Sequence, residues 1–256
     1  MTIGSLIRPT IVFAGLICAW QVVVMATAVP PYILPGPSSV ASVFHERIDT
    51  LADNAGVTLI EILAGFAIGT IVGMASALIM TYFRPARLWL MPVLVVSQAV
   101  PVFALAPILT LWLGYGIESK IAMAVLIIYF PVTAAFYDGL RRTDPGWIDL
   151  ARVMNASRSA ELRHIRLPAA LPALGSGLRV AAAVAPIGAV VGEWVGSSAG
   201  LGYLMLHANA RVQIDLMFAA LFTLAVMACV FYFAIDTIAR RLTPWQTEIS
   251  IEKEDP

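Results

Sequence analysis

The stretch DLARVMNASRSAELRHIRLPAALPAL, residues 149–174, gathers charged residues in a chain that is otherwise strongly apolar. Only 12% of the 256 residues are charged and 60% are hydrophobic, and the mean hydropathy is +0.86. Soluble domains are usually about 45 to 50% apolar. The composition therefore predicts an integral membrane protein, in which this stretch is a polar segment between membrane spans.

A helix needs about 20 apolar residues to cross the hydrocarbon core of a bilayer. Six stretches qualify, and they are residues 10–29, 57–83, 88–113, 117–138, 173–196 and 214–238. The first ends in Ala26-Thr27-Ala28, which resembles a signal-peptide cleavage site, but its apolar run is long for a signal peptide. We expect six transmembrane helices in one all-α domain, residues 1–256, with a core of about 57–240 and an extra N-terminal span at 10–29.

The basic residues predict the orientation of these spans. With the N-terminus inside, the outer segments hold only Arg47, Lys120 and Arg211. The inner segments hold twelve Lys and Arg residues, namely Arg8, Arg84, Arg87, Arg141, Arg142, Arg152, Arg158, Arg163, Arg166, Arg240, Arg241 and Lys253. Cytoplasmic loops carry such an excess, so both termini are predicted to be cytoplasmic.

Small residues and prolines mark where spans contact one another or bend. Gly65, Gly69, Gly73 and Ala77 recur every four residues, which favours close helix packing. Prolines interrupt the third, fourth and fifth spans, and they are Pro92, Pro101, Pro107, Pro131 and Pro186. They favour helices bent around a shared pathway, although proline is also simply commoner in membrane helices.

The inner segment 139–171 is too long for a structureless loop in a compact protein. Asp144 and Pro145 are a typical N-cap and first helical residue. The following apolar residues have helical spacing, and they are Trp147, Leu150, Ala151 and Met154. Asp144 and Pro145 therefore predict the start of a short helix.

A second short helix is predicted directly after the first. Asn155 is a plausible left-handed terminator, and Ser157 can cap a helix over 158–165 that would expose Leu162. Leu167-Pro168 should end it, because the residue before proline is pushed to an extended conformation. Such a pair of helices suits a docking surface for a soluble partner. The alternative is an amphipathic loop lying on anionic lipid.

The spacing in this segment also resembles the EAA loop of ABC importer permeases. That pattern has an acidic residue, a glycine six positions later and Ile-x-Leu-Pro ten positions after the glycine. The chain has Asp149-Leu150-Ala151, Asn155 and Ile165-Arg166-Leu167-Pro168 at every one of these spacings. Asp replaces Glu and Asn replaces Gly, and Asn can adopt the left-handed conformation that the turn requires.

Three further segments resemble the nitrate, sulfonate and taurine branch of these permeases. They are LPGPSSV at 34–40, PVFALAPILTLWLGYGIESK at 101–120 and GEWVGSSAGLGYLM at 192–205. The resemblance implies a type I (MetI-like) importer permease fold in the bacterial inner membrane, with a cytoplasmic coupling helix. The residues implied to couple to the ATPase are Asp149, Ala151, Asn155, Ser157, Leu162, Ile165, Leu167 and Pro168.

The resemblance also implies the partners. These are cytoplasmic ATPase subunits that carry the ATP and magnesium, an extracytoplasmic solute-binding protein, a second permease copy and membrane lipid. No nucleic-acid partner is expected. The chain itself has no phosphate-binding loop, His-Glu-x-x-His motif or nucleophile elbow, and its three histidines are too scattered for a metal site. We expect a non-catalytic subunit without a cofactor or metal of its own.

Four polar residues are candidates for the translocation path. Ionisable residues inside spans indicate function by default, which selects Glu61 and Glu193. Thr58 to Glu61 also fits a capping box at a helix start, and Glu193 also fits a residue near the outer end that faces water. Ser97 and Gln98, just before Pro101, are the best uncharged candidates.

Two other function classes stay open at this point. A self-sufficient channel or secondary carrier often has an internal repeat, and no duplicated half is obvious. An intramembrane enzyme needs a nucleophile and base or a metal cluster within the spans, and none is visible. For the solute, the branch resemblance favours a small anion, whereas residues 197–221 resemble permeases for thiamine-precursor pyrimidines.

Overall fold

The computed structural model describes residues 3–245, and the regular structure within them is entirely helical. Lys253, one of the basic residues assigned to the inner side, lies outside the described residues. The helices are α1 (Ile3–Thr27), α2 (Pro37–Glu46), α3 (Ile48–Tyr82), α4 (Arg84–Ala99), α5 (Val102–Leu113), α6 (Ile117–Arg141), α7 (Pro145–Val153), α8 (Arg158–Glu161), a π-helical turn (Leu162–Arg166), α9 (Leu167–Gly196), α10 (Leu201–Ala210) and α11 (Ile214–Leu242).

Four helical runs in the described part are long and apolar enough to cross a membrane. They are α3, α6, the continuous run Arg158–Gly196 that includes α9, and α11. The pair α4–α5 qualifies as a fifth span, but its axis turns by 105° between the two helices. In α1 the apolar part is a shorter segment, Ala14–Thr27. All six predicted stretches are therefore helical and the all-α class is confirmed, while the third stretch is broken.

The core of the bundle is formed by α3, α6 and α9. The face of α3 that carries Gly65, Gly69 and Gly73 is buried against α6. A Cβ atom at Gly69 would lie only 2.8 Å from Cγ2 of Ile128, so this face admits no larger side chain without movement. The prediction of a helix-contact face is confirmed. Gly188 of α9 approaches α6 in the same way, because its Cβ would lie 2.7 Å from Cα of Ala124.

The polar segment and α10 lie at opposite ends of α9. The helix starts directly after the π turn, is 30 residues long and ends at Gly196. At 1.5 Å per residue it is about 45 Å long, and α10 follows its far end after a four-residue connection, 197–200. The helix α9 therefore connects the polar segment at its start with α10 at its end.

Candidate functional site

The first helix of the polar segment, α7, begins where the sequence predicts. Pro145 is the first residue, and Oδ1 of Asp144 accepts a hydrogen bond of 2.7 Å from the Gly146 amide. Val153 is 81% and Met154 74% exposed. The predicted helix start is confirmed, and α7 presents apolar side chains at the surface of the chain.

The turn after α7 is held by two local devices. Asn155 has φ 55°, the left-handed conformation, and the Ala156 amide donates to the Ala151 carbonyl at 2.9 Å. Oγ of Ser157 accepts a hydrogen bond of 3.2 Å from the Ala160 amide. Both local structural predictions, the left-handed terminator and the serine cap, are confirmed. The resulting turn is defined by hydrogen bonds on both sides.

The predicted stop at Leu167-Pro168 is wrong. Leu167 is helical (φ −60°, ψ −54°), and α8 runs through the π turn into α9 without a break. Proline lacks an amide hydrogen and crowds the preceding turn, but here it occupies the first turn of α9, and a π turn supplies the local adjustment that a regular helix lacks. The second short helix is therefore the first part of a 39-residue run, Arg158–Gly196.

Arg166 makes an ion pair within the helical run and a hydrogen bond to α6. Nη2 of Arg166 lies 2.6 Å from Oε1 of Glu161, and the two side chains are 22% and 14% exposed. Arg166 also donates to the Leu140 carbonyl at the end of α6 at 3.2 Å. Leu162, predicted to be exposed, is instead half-buried and packs against the core. These contacts stiffen the junction between the polar segment and α9.

The eight predicted coupling residues fall into two groups. Ala151, Ile165 and Pro168 line one apolar groove of about 630 Å³ between α7 and the start of α9, which Trp147 and Trp245 also border. The others lie outside this lining, and they are Asp149, Asn155, Ser157, Leu162 and Leu167. Their roles in coupling stay predictions. The chain presents at this groove an apolar surface large enough for a partner's side chains.

Ser97 and Gln98 lie in the last turn of α4, next to the bend. Ser97 is half-buried and donates to the Leu94 carbonyl at 2.7 Å, whereas Gln98 is exposed. Glu61 and Glu193 lie elsewhere, each only 1% exposed inside the bundle. The four path candidates therefore do not form one site in a single chain, and their path role stays a prediction.

The two acidic candidates form a buried polar cluster. Glu61 and Glu193 are both fully buried, and Oε1 of Glu193 accepts a hydrogen bond of 2.6 Å from the Thr58 hydroxyl. The capping-box interpretation of Thr58 and Glu61 is wrong, because α3 already begins at Ile48 and both residues lie well inside it. Glu193 does not face water either. It is covered by the chain that turns back after Gly196.

Lys120 is a third buried ionisable residue, and the pattern of basic residues placed it in an outer segment. It is 1% exposed. Its Nζ donates to the carbonyls of Tyr115 (2.7 Å), Gly116 (2.9 Å) and Gly196 (2.5 Å). A cation in the first turn of a helix is unfavourable because it opposes the helix dipole. This position was the one signal in the sequence that the Lys120 ammonium group needs hydrogen-bond acceptors from elsewhere. Lys120 ties the start of α6 to the end of α9.

The fold and these sites define a multi-pass helical permease of a membrane transporter. The chain belongs to the family of binding-protein-dependent transport system inner membrane components, whose family model matches residues 65–247. It thus has the type I ABC importer permease fold and is a membrane subunit of such a transporter.

Three relatives and one solved structure are similar over most of the chain. A probable ABC transporter permease protein of Haemophilus influenzae is 53% identical over 92% of this chain and 96% of its own length. The formylaminopyrimidine transport permease protein ThiX of Halalkalibacterium halodurans is 34% identical (94% and 96%). The riboflavin transport system permease protein RibX of Chloroflexus aurantiacus is 35% identical (90% and 87%). An inward-facing methionine ABC transporter structure superposes with a TM-score of 0.66 at 20% identity, covering 77% of this chain and 98% of its own.

Proposed function

We propose that this chain is the solute-conducting subunit of an importer in which separate ATPase subunits bind the groove beside α7. In this proposal a second permease copy completes the translocation path and an extracytoplasmic binding protein delivers the solute. The groove end of the bundle faces the cytoplasm together with both termini, as the distribution of basic residues favours. ATP and magnesium are held by the ATPase subunits, and this chain contributes no catalytic residue.

The observation that carries the proposal is the continuity from the surface helix to the membrane helix. The turn at Asn155 and the cap at Ser157 join α7 to the run that becomes α9, and the Glu161–Arg166 ion pair stiffens the start of that run. A force applied to the exposed face of α7 is therefore transmitted to a helix about 45 Å long. A flexible loop at the same place would absorb the displacement.

A stiff connection moves α9 only if ATPase binding also differs in free energy between the arrangements of the permease. ATP can shift the permease between inward-open and outward-open arrangements only if the ATPase pair binds one arrangement more tightly than the other. The apolar groove is suited to this, because moving a partner's side chain in or out of it changes the buried apolar area. Each 100 Å² of apolar surface corresponds to about 2.5 kcal/mol.

For the solute we propose a small heterocycle of the thiamine-precursor pyrimidine kind. Two relatives above 30% identity carry pyrimidine or riboflavin transport in their names. Among the described residues Lys120 is the one fully buried cation, and its ammonium group donates to three backbone carbonyls, which leaves it no donor for an anion. A sulfonate or nitrate-type anion is the second candidate, supported by the resemblance of residues 34–40, 101–120 and 192–205.

Reconstitution tests both the dependence on ATPase subunits and the identity of the solute. The chain is placed in proteoliposomes with and without its ATPase subunits and binding protein, and uptake of radiolabelled formylaminopyrimidine and taurine is measured with ATP inside. We expect formylaminopyrimidine uptake only in the complete system. Uptake by the chain alone would show a channel or secondary carrier instead, and taurine uptake without formylaminopyrimidine uptake would overturn the solute assignment.

A further inference from the structure

The amino end of α10 is capped by side chains from other helices. The first four N–H groups of a helix have no partner within it. Here the amides of four consecutive residues each have a side-chain acceptor. Gly200 donates to Oδ1 of Asn54 at 2.8 Å and Leu201 to Oγ1 of Thr58 at 2.8 Å. Gly202 and Tyr203 both donate to Oε2 of Glu193, at 2.5 and 3.2 Å.

These acceptors come from two long helices of the bundle. Asn54 and Thr58 lie one turn apart on α3, and Glu193 lies in the last turn of α9. Thr58 and Glu193 are 0% and 1% exposed, so water cannot replace either acceptor cheaply. Gly200 at φ 111° lets the backbone approach, because a Cβ atom there would overlap the Glu193 carboxyl group. The connection between α9 and α10 is thus built around the Glu193 side chain.

Glu193 is surrounded by hydrogen-bond donors, namely the Thr58 hydroxyl and the amides of Gly202 and Tyr203. A carboxylate offers two acceptor oxygens to such donors. A negative charge at this place also suits the amino end of α10.

We propose that Glu193, Thr58 and Asn54 form a clamp that makes α10 move as one body with α3 and α9. These three are positioning residues that keep the α10 end of the bundle in register with the groove end of α9 during the transport cycle. The role in the cycle rests on the proposed function, whereas the clamp itself is a property of this chain. Lys120 holds the adjoining Gly196 carbonyl.

Backbone hydrogen exchange of the complete transporter in nanodiscs, read on peptides covering residues 200–203, tests the clamp. Thr58→Val keeps the shape of the side chain but removes the hydroxyl, and Thr58→Ser restores it. We expect exchange about tenfold faster in Thr58→Val than in wild type and near-wild-type exchange in Thr58→Ser, because losing the acceptor of a buried amide weakens local closure. Unchanged exchange in Thr58→Val would overturn the clamp.

A second variant tests the carboxylate of the clamp. Glu193→Gln replaces two acceptor oxygens by one oxygen and an NH₂ group placed among donors, so the peptides over 200–203 should exchange about tenfold faster. Wild-type exchange in Glu193→Gln would overturn the role of the carboxylate in the cap.

ATPase stimulation tests the role in the cycle. The measured ratio is the ATPase rate with binding protein and formylaminopyrimidine divided by the rate without them. We expect Thr58→Val to keep the basal rate and lose most of the stimulation, with recovery in Thr58→Ser. A purely structural role would lower yield or melting temperature but leave the ratio unchanged, which would overturn the coupling role. If the proposed function itself fails, no ATPase associates even with wild type, while the exchange results still report on the clamp.

Discussion

Proline has opposite consequences in two regions of this molecule. In the packed region of α3, α6 and α9, Pro131 lies inside α6 and the helix continues through it to Arg141. In the bent pair α4–α5, the chain turns by 105° at Val100-Pro101, where Val100 is extended (φ −80°, ψ 123°). Both prolines remove a helical hydrogen bond, so the difference must come from their surroundings.

The surroundings differ in how closely neighbouring helices pack. Gly177 of α9 lies against the carbonyl of Pro131, and a Cβ atom at Gly177 would be 2.8 Å from that oxygen. Trp89 of α4 and Leu111 of α5 are both 81% exposed in the single chain. Close neighbours hold α6 on its course through Pro131. Pro92 and Pro107 also lie inside continuous helices, α4 and α5, so proline alone does not decide whether a membrane helix breaks here.

The largest effect is expected from disturbing the packed region at Gly177. The Gly177→Ala variant puts a Cβ atom 2.7 Å from that of Ala135 and 2.8 Å from the Pro131 carbonyl oxygen. Backbone cannot give way as a flexible side chain does, so we expect a loss of about 1 to 3 kcal/mol. Thermal unfolding of the purified protein in detergent measures this as a lower melting temperature.

A glycine of α3 supplies the matched control. A Cβ atom at Gly56 has nothing within 4 Å. Gly56→Ala should therefore leave the melting temperature unchanged or raise it, because alanine favours a helix by about 1 kcal/mol over glycine. Equal destabilisation by both variants would mean that close packing at Gly177 is not what holds α6.

An intermediate effect is expected from removing each proline. Pro101→Ala supplies an amide donor and frees Val100, so part of the population should straighten. The backbone distance between Leu88 and Leu111 would grow from about 20 Å to about 35 Å. Both values follow from a rise of about 1.5 Å per residue and the 105° turn. Nitroxide labels at these two exposed positions, in a background with Cys18 and Cys229 replaced by serine, report it by pulsed electron resonance.

Pro131→Ala is the counterpart in the packed region. Labels at Glu118 and Arg141, both exposed near the ends of α6, should give the same distance with and without Pro131. If Pro131→Ala changes the distance in α6 and Pro101→Ala leaves the distance in α4–α5 unchanged, the comparison between the two regions is reversed.

Features set by local chemistry were predictable from the sequence. Asp144, Asn155 and Ser157 act on amides and carbonyls within five residues of themselves, so their capping and turn roles could be inferred from residue type and spacing. The glycine row of α3 was predictable for a related reason, since a face without side chains implies a close neighbour. The family resemblance of the polar segment rested on the same local spacings.

Features set by distant neighbours were not predictable. The stop at Leu167-Pro168 failed because a π turn and the Glu161–Arg166 pair carry the helix through it. Glu61, Glu193 and Lys120 are separated by at least 59 positions in the sequence, and only the packing of α3, α6 and α9 joins them. One sequence contains no periodicity that would reveal a contact of this kind.

The smallest effect on stability is expected at the bend, where an effect on the KM of uptake is expected as well. Ser97 donates only to the Leu94 carbonyl of its own helix, so Ser97→Ala should change the unfolding free energy by no more than about 0.5 kcal/mol. If the bent pair lines the path as predicted, the same variant should raise the KM of uptake in the reconstituted transporter.

Thr223→Ala is the control variant. It removes an equivalent hydroxyl-to-carbonyl bond on α11, 2.8 Å to Ala219, and should leave uptake unchanged. Equal uptake in Ser97→Ala and Thr223→Ala would place the solute path away from the bend, leaving the exposed α4–α5 faces to serve contact with other protein or lipid.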